Sequence, residues 1–436
     1  MFVSRKSHLV LDSIMKMGLS PLPADETTRK FPSPRRTVSS LSSAATATTK
    51  QANTLVIEIG TRFTRIGFTE EFAPREIFRT HYVNPLRPWT SLPLYDPQRD
   101  ADEQNRIFCA FFRDIFMRKT LKNPSICRVI FVVNPFSTDA YRNGLIRALT
   151  KHPSLLPASI SFTHSPLMHL IAFNRETALL IDTGVDETQL YPIVDQFLML
   201  TNGFAATPIS TSTVEKRIED LMTIYGRVAE ANGNERELTT DDLALFKRLQ
   251  CAEDICYRFC FATTRERGLQ LQEHCKFTVY GFVRLFSVFD DSIEIQTPPP
   301  SVKIPFGKEM LVVPGIVREG AAESLFTHDS DIPSIPQLVA NFIDQTEIDL
   351  KRKYAENLLF VGGLSQMKGF LARIRSELLF LFEDDYDQRL SNINKIKFHY
   401  TSNSSIISNY SAWLGASLSR NYDYQHSESP NFGLYY

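Results

Sequence analysis

The sequence predicts an α/β protein with two related lobes. Short apolar runs rich in β-branched residues alternate with segments of helical spacing, and one strand-and-turn pattern occurs twice. Buried strands that alternate with helices are typical of an α/β architecture. A length of 436 residues also exceeds that of one ordinary domain.

Each predicted element follows from its own spacing. Apolar runs predict four buried strands over residues 54–59, 128–133, 177–181 and 357–361. Helical periodicity predicts helices over residues 136–150, 165–174, 240–263, 337–355 and 368–381. Residues 211–298 are expected to form an inserted, mostly helical segment, bounded downstream by Pro298-Pro299-Pro300.

The first 52 residues differ in composition from the rest. Residues 1–50 contain eight Lys or Arg and three Asp or Glu, so they carry +5 while the remainder carries −6. Ser, Thr and Ala dominate residues 37–49, and they cannot bury enough apolar surface to offset the entropy of ordering. We expect a disordered basic tail over 1–52. A mitochondrial transit peptide is the alternative, which Asp12, Asp25 and Glu26 weaken.

Composition excludes several classes. A net charge of −1 argues against a nucleic-acid binder that relies on whole-chain charge. No apolar run approaches 18 residues, which argues against a membrane partner. Six Cys without a secretory leader favour a reducing, cytoplasmic compartment. Paired CxxC ligands, G-x-S-x-G and P-loop signatures are absent, so neither a metal site nor a catalytic residue is predicted.

The repeated pattern is a buried strand that ends in an acid, any residue, Gly, and Thr four residues later. The matching positions are Glu58, Gly60 and Thr64 in the first copy and Asp182, Gly184 and Thr188 in the second. Glycine permits a tight hairpin whose N–H groups can face an anion, and the acid can hold a divalent metal. A third turn, Gly362-Gly363, follows another predicted strand. Together they predict a nucleotide clamp; the alternative for each is a strand that simply ends in a turn.

Four collinear motifs carry a family resemblance that covers nearly all of residues 54–420. Residues 58–75, which include Gly67-Phe68 and Ala73-Pro74-Arg75, resemble the first phosphate loop of actin and its relatives. Residues 181–184, with Tyr191-Pro192-Ile193, resemble the second loop. Residues 347–369 resemble the adenosine-side stretch, and 410–415 resemble the terminal Trp-x-Gly element. The chain is therefore identified as a member of the actin family.

The resemblance implies an actin-like, ribonuclease H-like duplicated fold of two lobes, the ATPase fold of that family. The expected domains are a first lobe at 53–172 and 411–436, a second lobe at 173–210 and 297–410, and a helical fourth subdomain at 211–296. Only 53 residues separate Arg75 from Val129, fewer than actins use. We therefore expect a shortened second subdomain near 81–100.

The resemblance also supplies candidate nucleotide-binding residues, which are Glu58, Gly60, Thr61, Arg65, Asp182, Gly184, Gly362 and Gly363. Whether ATP or ADP with Mg²⁺ is held as a structural ligand stays open. Glu58 stands where actins have Asp, Arg65 where they have Lys, and Arg62 where they have Gly. A side chain at 62 either narrows the approach to phosphate or places its guanidinium in the anion site.

The positions that would support hydrolysis differ from those of actins. Val185 replaces an Asp, Asp186 a Gly and Gln189 a His, and Ser165 falls at the water-positioning Gln. Hydrolysis needs an oriented water and a charge-balancing metal, so we expect little or no ATPase activity.

The positions around the base differ as well. Glu253, Cys256 and Tyr257 fall where actins carry Arg, Lys and Glu for the adenosine, and Asn409 falls where a Lys packs on the adenine. An anion beside a polyanionic ligand disfavours binding. An empty or residue-filled cleft is the alternative to a nucleotide.

Residues 165–170, 298–302 and 356–363 are most similar to the pointed-end actin-related subunits of the dynactin complex. This implies a non-catalytic cap on an actin-related filament, with that filament's subunits and the other pointed-end subunits as partners. Dynein is an indirect partner, and the expected location is the cytoplasmic cytoskeleton, in microtubule-based transport. The alternatives are a nuclear chromatin-remodelling subunit and a degenerate ATPase or phosphotransferase of the actin and sugar-kinase superfamily.

Overall fold

The structure is a computed structural model that describes residues 53–83, 91–200, 203–230, 233–275, 298–327, 331–383, 396–399 and 409–419. The predicted tail lies outside these ranges, as do residues 276–297 of the predicted insertion and 420–436 of the predicted return to the first lobe.

The first sheet has the strand order β3-β2-β1-β6-β7. Its strands are β1 (Asn53–Ile59), β2 (Phe63–Phe68), β3 (Glu76–Arg79), β6 (Cys127–Val133) and β7 (Ser159–His164). Strand β1 pairs antiparallel with β2 and parallel with β6. One face packs on helices α1 (Ala101–Asp114) and α2 (Asp139–Thr150), and α1 continues into a π-helical turn at Ile115–Thr120. The Asp100 carboxylate caps α1 by accepting from the N–H groups of Asp102 and Glu103.

A separate two-stranded hairpin follows β3. Strand β4 (His81–Val83) pairs with β5 (Ser91–Pro93) before the chain enters α1. Residues 84–90 between them lie outside the described ranges. The described part of the predicted second subdomain is therefore this hairpin and the loop that leads to α1.

The second sheet has the order β10-β9-β8-β16, and β11 also pairs with β9. Its strands are β8 (Ala178–Thr183), β9 (Thr188–Val194), β10 (Phe197–Leu198), β11 (Ala205–Thr207) and β16 (Leu358–Gly362). Strand β8 pairs antiparallel with β9 and parallel with β16, as β1 does with β2 and β6. The two sheets therefore share one core arrangement, a hairpin whose first strand has a parallel neighbour.

The inserted segment contains a small sheet as well as helices. Its helices are α4 (Thr211–Tyr225), α5 (Thr240–Arg248), α6 (Cys251–Phe259) and α7 (Arg265–Cys275). Strands β12 (Arg227–Ala229) and β13 (Glu235–Glu237) join β14 (Val302–Phe306) and β15 (Glu309–Val313) in the order β13-β12-β15-β14. Ile218 of α4 and Ile255 of α6 share one apolar core with Ile181 of β8. The segment is thus packed as part of the second lobe.

The remaining helices complete the second lobe. They are α8 (Gly315–Gly320), α9 (Ile335–Gln345), α10 (Ile348–Ala355) and α11 (Phe370–Glu383). The fully buried Arg373 of α11 forms ion pairs with Glu323 at 2.9 Å and Glu377 at 2.7 Å. Its guanidinium also donates to the carbonyls of Thr263 and Thr264, so one cation joins three segments inside the lobe.

Two predicted helices are each split in the structure. The single helix predicted over 240–263 is wrong, because Gln250 adopts a left-handed backbone with φ +53° between α5 and α6. The helix predicted over 337–355 breaks between α9 and α10, where the Thr346 hydroxyl donates to the Phe342 carbonyl. The helix predicted over 136–150 begins only at Asp139, since Thr138 caps its N-terminus.

Helices α3 (Ser165–Ala172) and α12 (Ser411–Leu418) pack against each other on the first sheet, and α3 also reaches the second lobe. Met168 of α3 packs with Val56 of the first sheet and Trp413 of α12, whereas Leu170 packs against the second sheet. The backbones of α3 and α12 are close, since a Cβ atom on Gly415 would lie 1.8 Å from the Met168 carbonyl oxygen. None of the helices in the described ranges has the length and apolarity that crossing a bilayer requires.

Candidate functional site

The two predicted loops form the same turn. The Gly60 N–H donates to the Phe63 carbonyl at 3.1 Å, and the Gly184 N–H donates to the Glu187 carbonyl at 3.1 Å. The β1–β2 and β8–β9 hairpins therefore repeat in structure as they do in sequence. Each glycine N–H is thus used inside its own turn, and the prediction that other N–H groups of the hairpins face an anion stays a prediction.

The acids at the ends of β1 and β8 lie within electrostatic reach of each other. Glu58 accepts from Arg65 Nη1 at 2.9 Å and from the Trp413 backbone N–H at 3.0 Å. Burial and, to a lesser extent, the nearby Glu58 carboxylate raise the pKa of Asp182 to about 6, although Arg65 acts to lower it. Arg65, the cation expected to face phosphate, is thus engaged with Glu58.

The Thr shared by the two repeats has a structural role. The Thr64 hydroxyl is buried against that of Thr80 at 2.7 Å. The Thr188 hydroxyl is buried and donates to the Ile209 carbonyl at 2.7 Å. Both hydroxyls are engaged within the protein, so packing of the hairpins explains the repeated Thr.

The start of helix α4 is occupied by the second hairpin. The Thr211 N–H and hydroxyl both donate to the Gly184 carbonyl, at 3.2 and 2.9 Å. The Ser212 N–H donates to the Val185 carbonyl at 2.9 Å. Free N–H groups at a helix N-terminus can bind anions, and here the hairpin's own carbonyls take two of them.

Gln189 is held by three neighbours. Asn134 Nδ2 donates to the Gln189 Oε1 at 2.5 Å, and the Tyr191 hydroxyl donates to the same oxygen. The Gln189 Nε2 donates to the Glu187 carboxylate. An amide with both ends engaged in this way has little capacity left to orient a water molecule.

The Gly362-Gly363 turn is covered by an aromatic side chain. Gly362 has φ +86°, and a Cβ atom there would lie 2.3 Å from the Thr183 carbonyl oxygen, so only glycine fits. A Cβ atom on Gly363 would lie 2.9 Å from the Tyr257 hydroxyl. The phenol of Tyr257 therefore lies directly beside the turn that the family resemblance assigns to adenosine.

Arg62 crosses from the first lobe to the second. Its Nη1 and Nη2 donate to the two carboxylate oxygens of Glu215 at 2.6 and 2.8 Å, and Nη1 lies 3.9 Å from Glu253. Burial alone would lower the pKa of Arg62, but the hydrogen-bonded Glu215 more than offsets this and the pKa is raised. Arg79 of β3 pairs with Glu253 at 2.8 Å. The anion predicted at 253 thus faces two arginines.

A second contact between the lobes is aromatic. Phe136, which follows β6, lies 4.2 Å from Phe204 and 6.2 Å from Tyr191 between ring centroids. Asn134, two residues before Phe136, forms the hydrogen bond to Gln189. The segment after β6 therefore contacts the second lobe through both a polar and an apolar side chain.

The structure brings together Glu58, Arg65 and Asp182, whereas Thr61 is exposed at the hairpin tip. In the described ranges, no three His, Cys, Asp or Glu side chains gather as they would around a metal ion. Sequence reasoning did not identify Glu215, Arg79 or Asn134, and it named Tyr191 only as part of the second-loop motif. The available signal was the unusual Arg62, since a cation placed in a buried turn requires an acidic partner.

Comparison with known proteins decides the family. The actin family model, described as "Actin", matches residues 99–427. The chain belongs to the actin family. Its fold is accordingly actin-like, as the sequence motifs predicted.

Two relatives are similar to the chain over most of its length. Actin-related protein 10 of Dictyostelium discoideum is 21% identical over 421 residues, covering 85% of this chain and 82% of the relative. Actin-related protein 4 of Schizosaccharomyces pombe is 22% identical over 424 residues, covering 84% of this chain and 90% of the relative. Both are actin-related proteins, and their identities to this chain are nearly equal.

Proposed function

We propose that the protein is a non-catalytic actin-related subunit that caps the pointed end of the actin-related filament of dynactin and thereby supports dynein-driven transport. Its partners are the filament-forming subunit and the other pointed-end subunits. The observation that carries the proposal is the small β4–β5 hairpin, which we assign to the second subdomain.

The hairpin supports a terminating role by a steric argument. In actin-like filaments the second subdomain and its loop receive the next subunit. Strands β4 and β5 contain three residues each, and the whole span from β3 to α1 is short. A subunit of this shape can dock its opposite end on a filament but offers little surface to a further copy.

The surroundings of Gln189 support the loss of ATP hydrolysis. Its amide is engaged with Asn134, Tyr191 and Glu187, and the apolar Val185 occupies a position where the family has an acid. Neither a free water-orienting group nor that carboxylate remains at these positions. We expect no ATP turnover above the blank, and turnover comparable to that of filament-forming actins would overturn this part of the proposal.

The function is tested by mass spectrometry of the proteins that co-purify with a tagged full-length chain at native expression in mild salt. Near-stoichiometric recovery of dynactin's filament and pointed-end subunits is the expected result. If the tagged chain recovers no protein above the background of the tag control, the proposal of a filament cap is wrong. The ATPase assay then tests the enzyme alternative.

The second candidate is an actin-related subunit of a nuclear chromatin-remodelling complex. The similarity to actin-related protein 4 supports this candidate. Its sequence identity to the chain and that of actin-related protein 10 differ by only one percentage point. Recovery of a remodelling ATPase together with nuclear actin in the same experiment would select this candidate.

A further inference from the structure

The two lobes are tied by side chains at the place where a nucleotide would otherwise join them. The latch consists of Arg62 and Arg79 from the first lobe and Glu215 and Glu253 from the second. Glu215 lies on α4 and Glu253 on α6, both of which share their core with the second sheet. An ion pair to either acid therefore connects the first lobe to the packed core of the second lobe.

The geometry of the latch is that of a strong ion pair. Arg62 and Glu215 form two parallel N–H···O contacts, the bidentate arrangement that is stronger than a single contact. Their side chains are only 15% and 16% exposed, so water screens the attraction weakly. The Arg258–Asp254 pair, by contrast, links two residues of one helix, and its side chains are 59% and 44% exposed.

The neighbouring residues occupy the rest of the junction. Tyr257 is within reach of Arg62, and its hydroxyl lies beside Gly363. Arg65 neutralises Glu58, and the start of α4 is bound by hairpin carbonyls. Several groups that could serve a polyanionic ligand are thus engaged within the chain: the Arg65 guanidinium, the N–H groups of Thr211 and Ser212, and the Gly363 turn beside Tyr257.

We infer that this latch takes the place of a nucleotide: Arg62 and Arg79 hold the lobes closed by pairing with Glu215 and Glu253, and the protein keeps its closed form without ATP. The Asn134–Gln189 and Phe136–Phe204 contacts assist it. This inference concerns how the lobes are held and is independent of which complex contains the protein.

The test compares the Tm of the full-length wild type, Arg62→Ala and Arg258→Ala, each with and without Mg·ATP in excess. Arg258→Ala is the matched control, because it removes an arginine from an exposed pair within α6. We expect Mg·ATP to leave the wild-type Tm unchanged, Arg62→Ala to lower it by about 2–5 °C, and the control to change it by less than about 1 °C. A wild-type Tm that rises with Mg·ATP, or an Arg62→Ala Tm equal to that of the control, would overturn the inference.

A charge exchange tests the pairing itself and guards against a poorly folding variant. Glu215→Gln keeps the shape of the side chain and removes its charge, so it should lower the Tm as Arg62→Ala does. Combining Arg62→Glu with Glu215→Arg should restore at least half of the Tm lost in Arg62→Glu alone. Losses that add in the double variant would show that the two residues do not act as a pair.

Discussion

Replacing Arg373 by Met should destabilise the second lobe strongly. Met has a similar length but removes both ion pairs and leaves the Glu323 carboxylate buried, with Gln272 at 3.0 Å as its remaining donor. Breaking a buried pair by removing one partner costs about 3–5 kcal/mol, because it leaves a charge without compensation. With an unfolding entropy of roughly 2 cal/mol/K per residue, a cooperative loss of this size lowers Tm by about 3–5 °C.

The loss should also depend on pH. Burial already raises the pKa of Glu323, and Arg373 is the main group that lowers it. Without Arg373 the folded-state pKa rises further above the unfolded value, so the native state binds the proton more tightly. Stability of the variant should therefore fall as pH rises from 6 to 8, and its deficit against the wild type should shrink toward pH 6.

Urea unfolding monitored by far-UV circular dichroism at pH 6 and pH 8 measures both effects. Arg352→Met is the control, because Arg352 is exposed and pairs with Glu356, the residue that follows α10; it should cost at most about 0.5 kcal/mol. The double variant Arg373→Met with Glu323→Leu should regain stability, since apolar residues can replace a buried pair. A deficit below about 1 kcal/mol in Arg373→Met, or no regain in the double variant, would refute this account of the buried charges.

Three further predictions concern other parts of the molecule. Gly415→Ala should cost more than about 3 kcal/mol by urea unfolding, because its Cβ would lie 1.8 Å from the Met168 carbonyl oxygen; a cost near 1 kcal/mol would show that α3 and α12 separate easily. Asp182→Asn should stabilise the protein at pH 7 and not at pH 4, because the folded-state pKa of about 6 lies above the unfolded value and the wild type loses stability as pH rises between them; equal gains at both pH values would contradict this. Phe197→Asp and Leu121→Asp, on side chains that are 72% and 76% exposed, should each change Tm by less than about 1 °C, because neither side chain is buried in a core; a larger loss would show that the side chain packs.

Much of the fold follows from local patterns. Strand β1 begins one residue before its predicted start, and β16 is displaced by one residue. The predictions are this close because a continuous apolar run marks both ends of a buried strand. The helix break at Gln250 could not be predicted, since apolar spacing continues across it and a single left-handed residue leaves no periodic mark. Tertiary contacts decide where such a break falls.

The site was predictable only in part. Glu58 and Arg65 come together because they are cross-strand partners in the β1–β2 hairpin. Asp182 occupies the matching position near the end of β8, which a repeated motif can reveal. The partner of Arg62 could not be predicted, because Glu215 lies 153 residues away in the chain and helix α4 has the pattern of an ordinary amphipathic helix. Pairings over such separations depend on how two lobes face each other, and sequence spacing carries no record of that.

The position of Trp413 gives the protein a built-in optical probe. Its indole is fully buried at the junction of α3, α12 and the first sheet, and its Nε1 donates to the Val56 carbonyl at 3.1 Å. The chain has two tryptophans, and the other, Trp89, lies outside the described residues. In a Trp89→Phe background, the emission of Trp413 alone would report the polarity of the core between α3, α12 and the first sheet. Time-resolved quenching could then follow any opening of that core, with no dye attached.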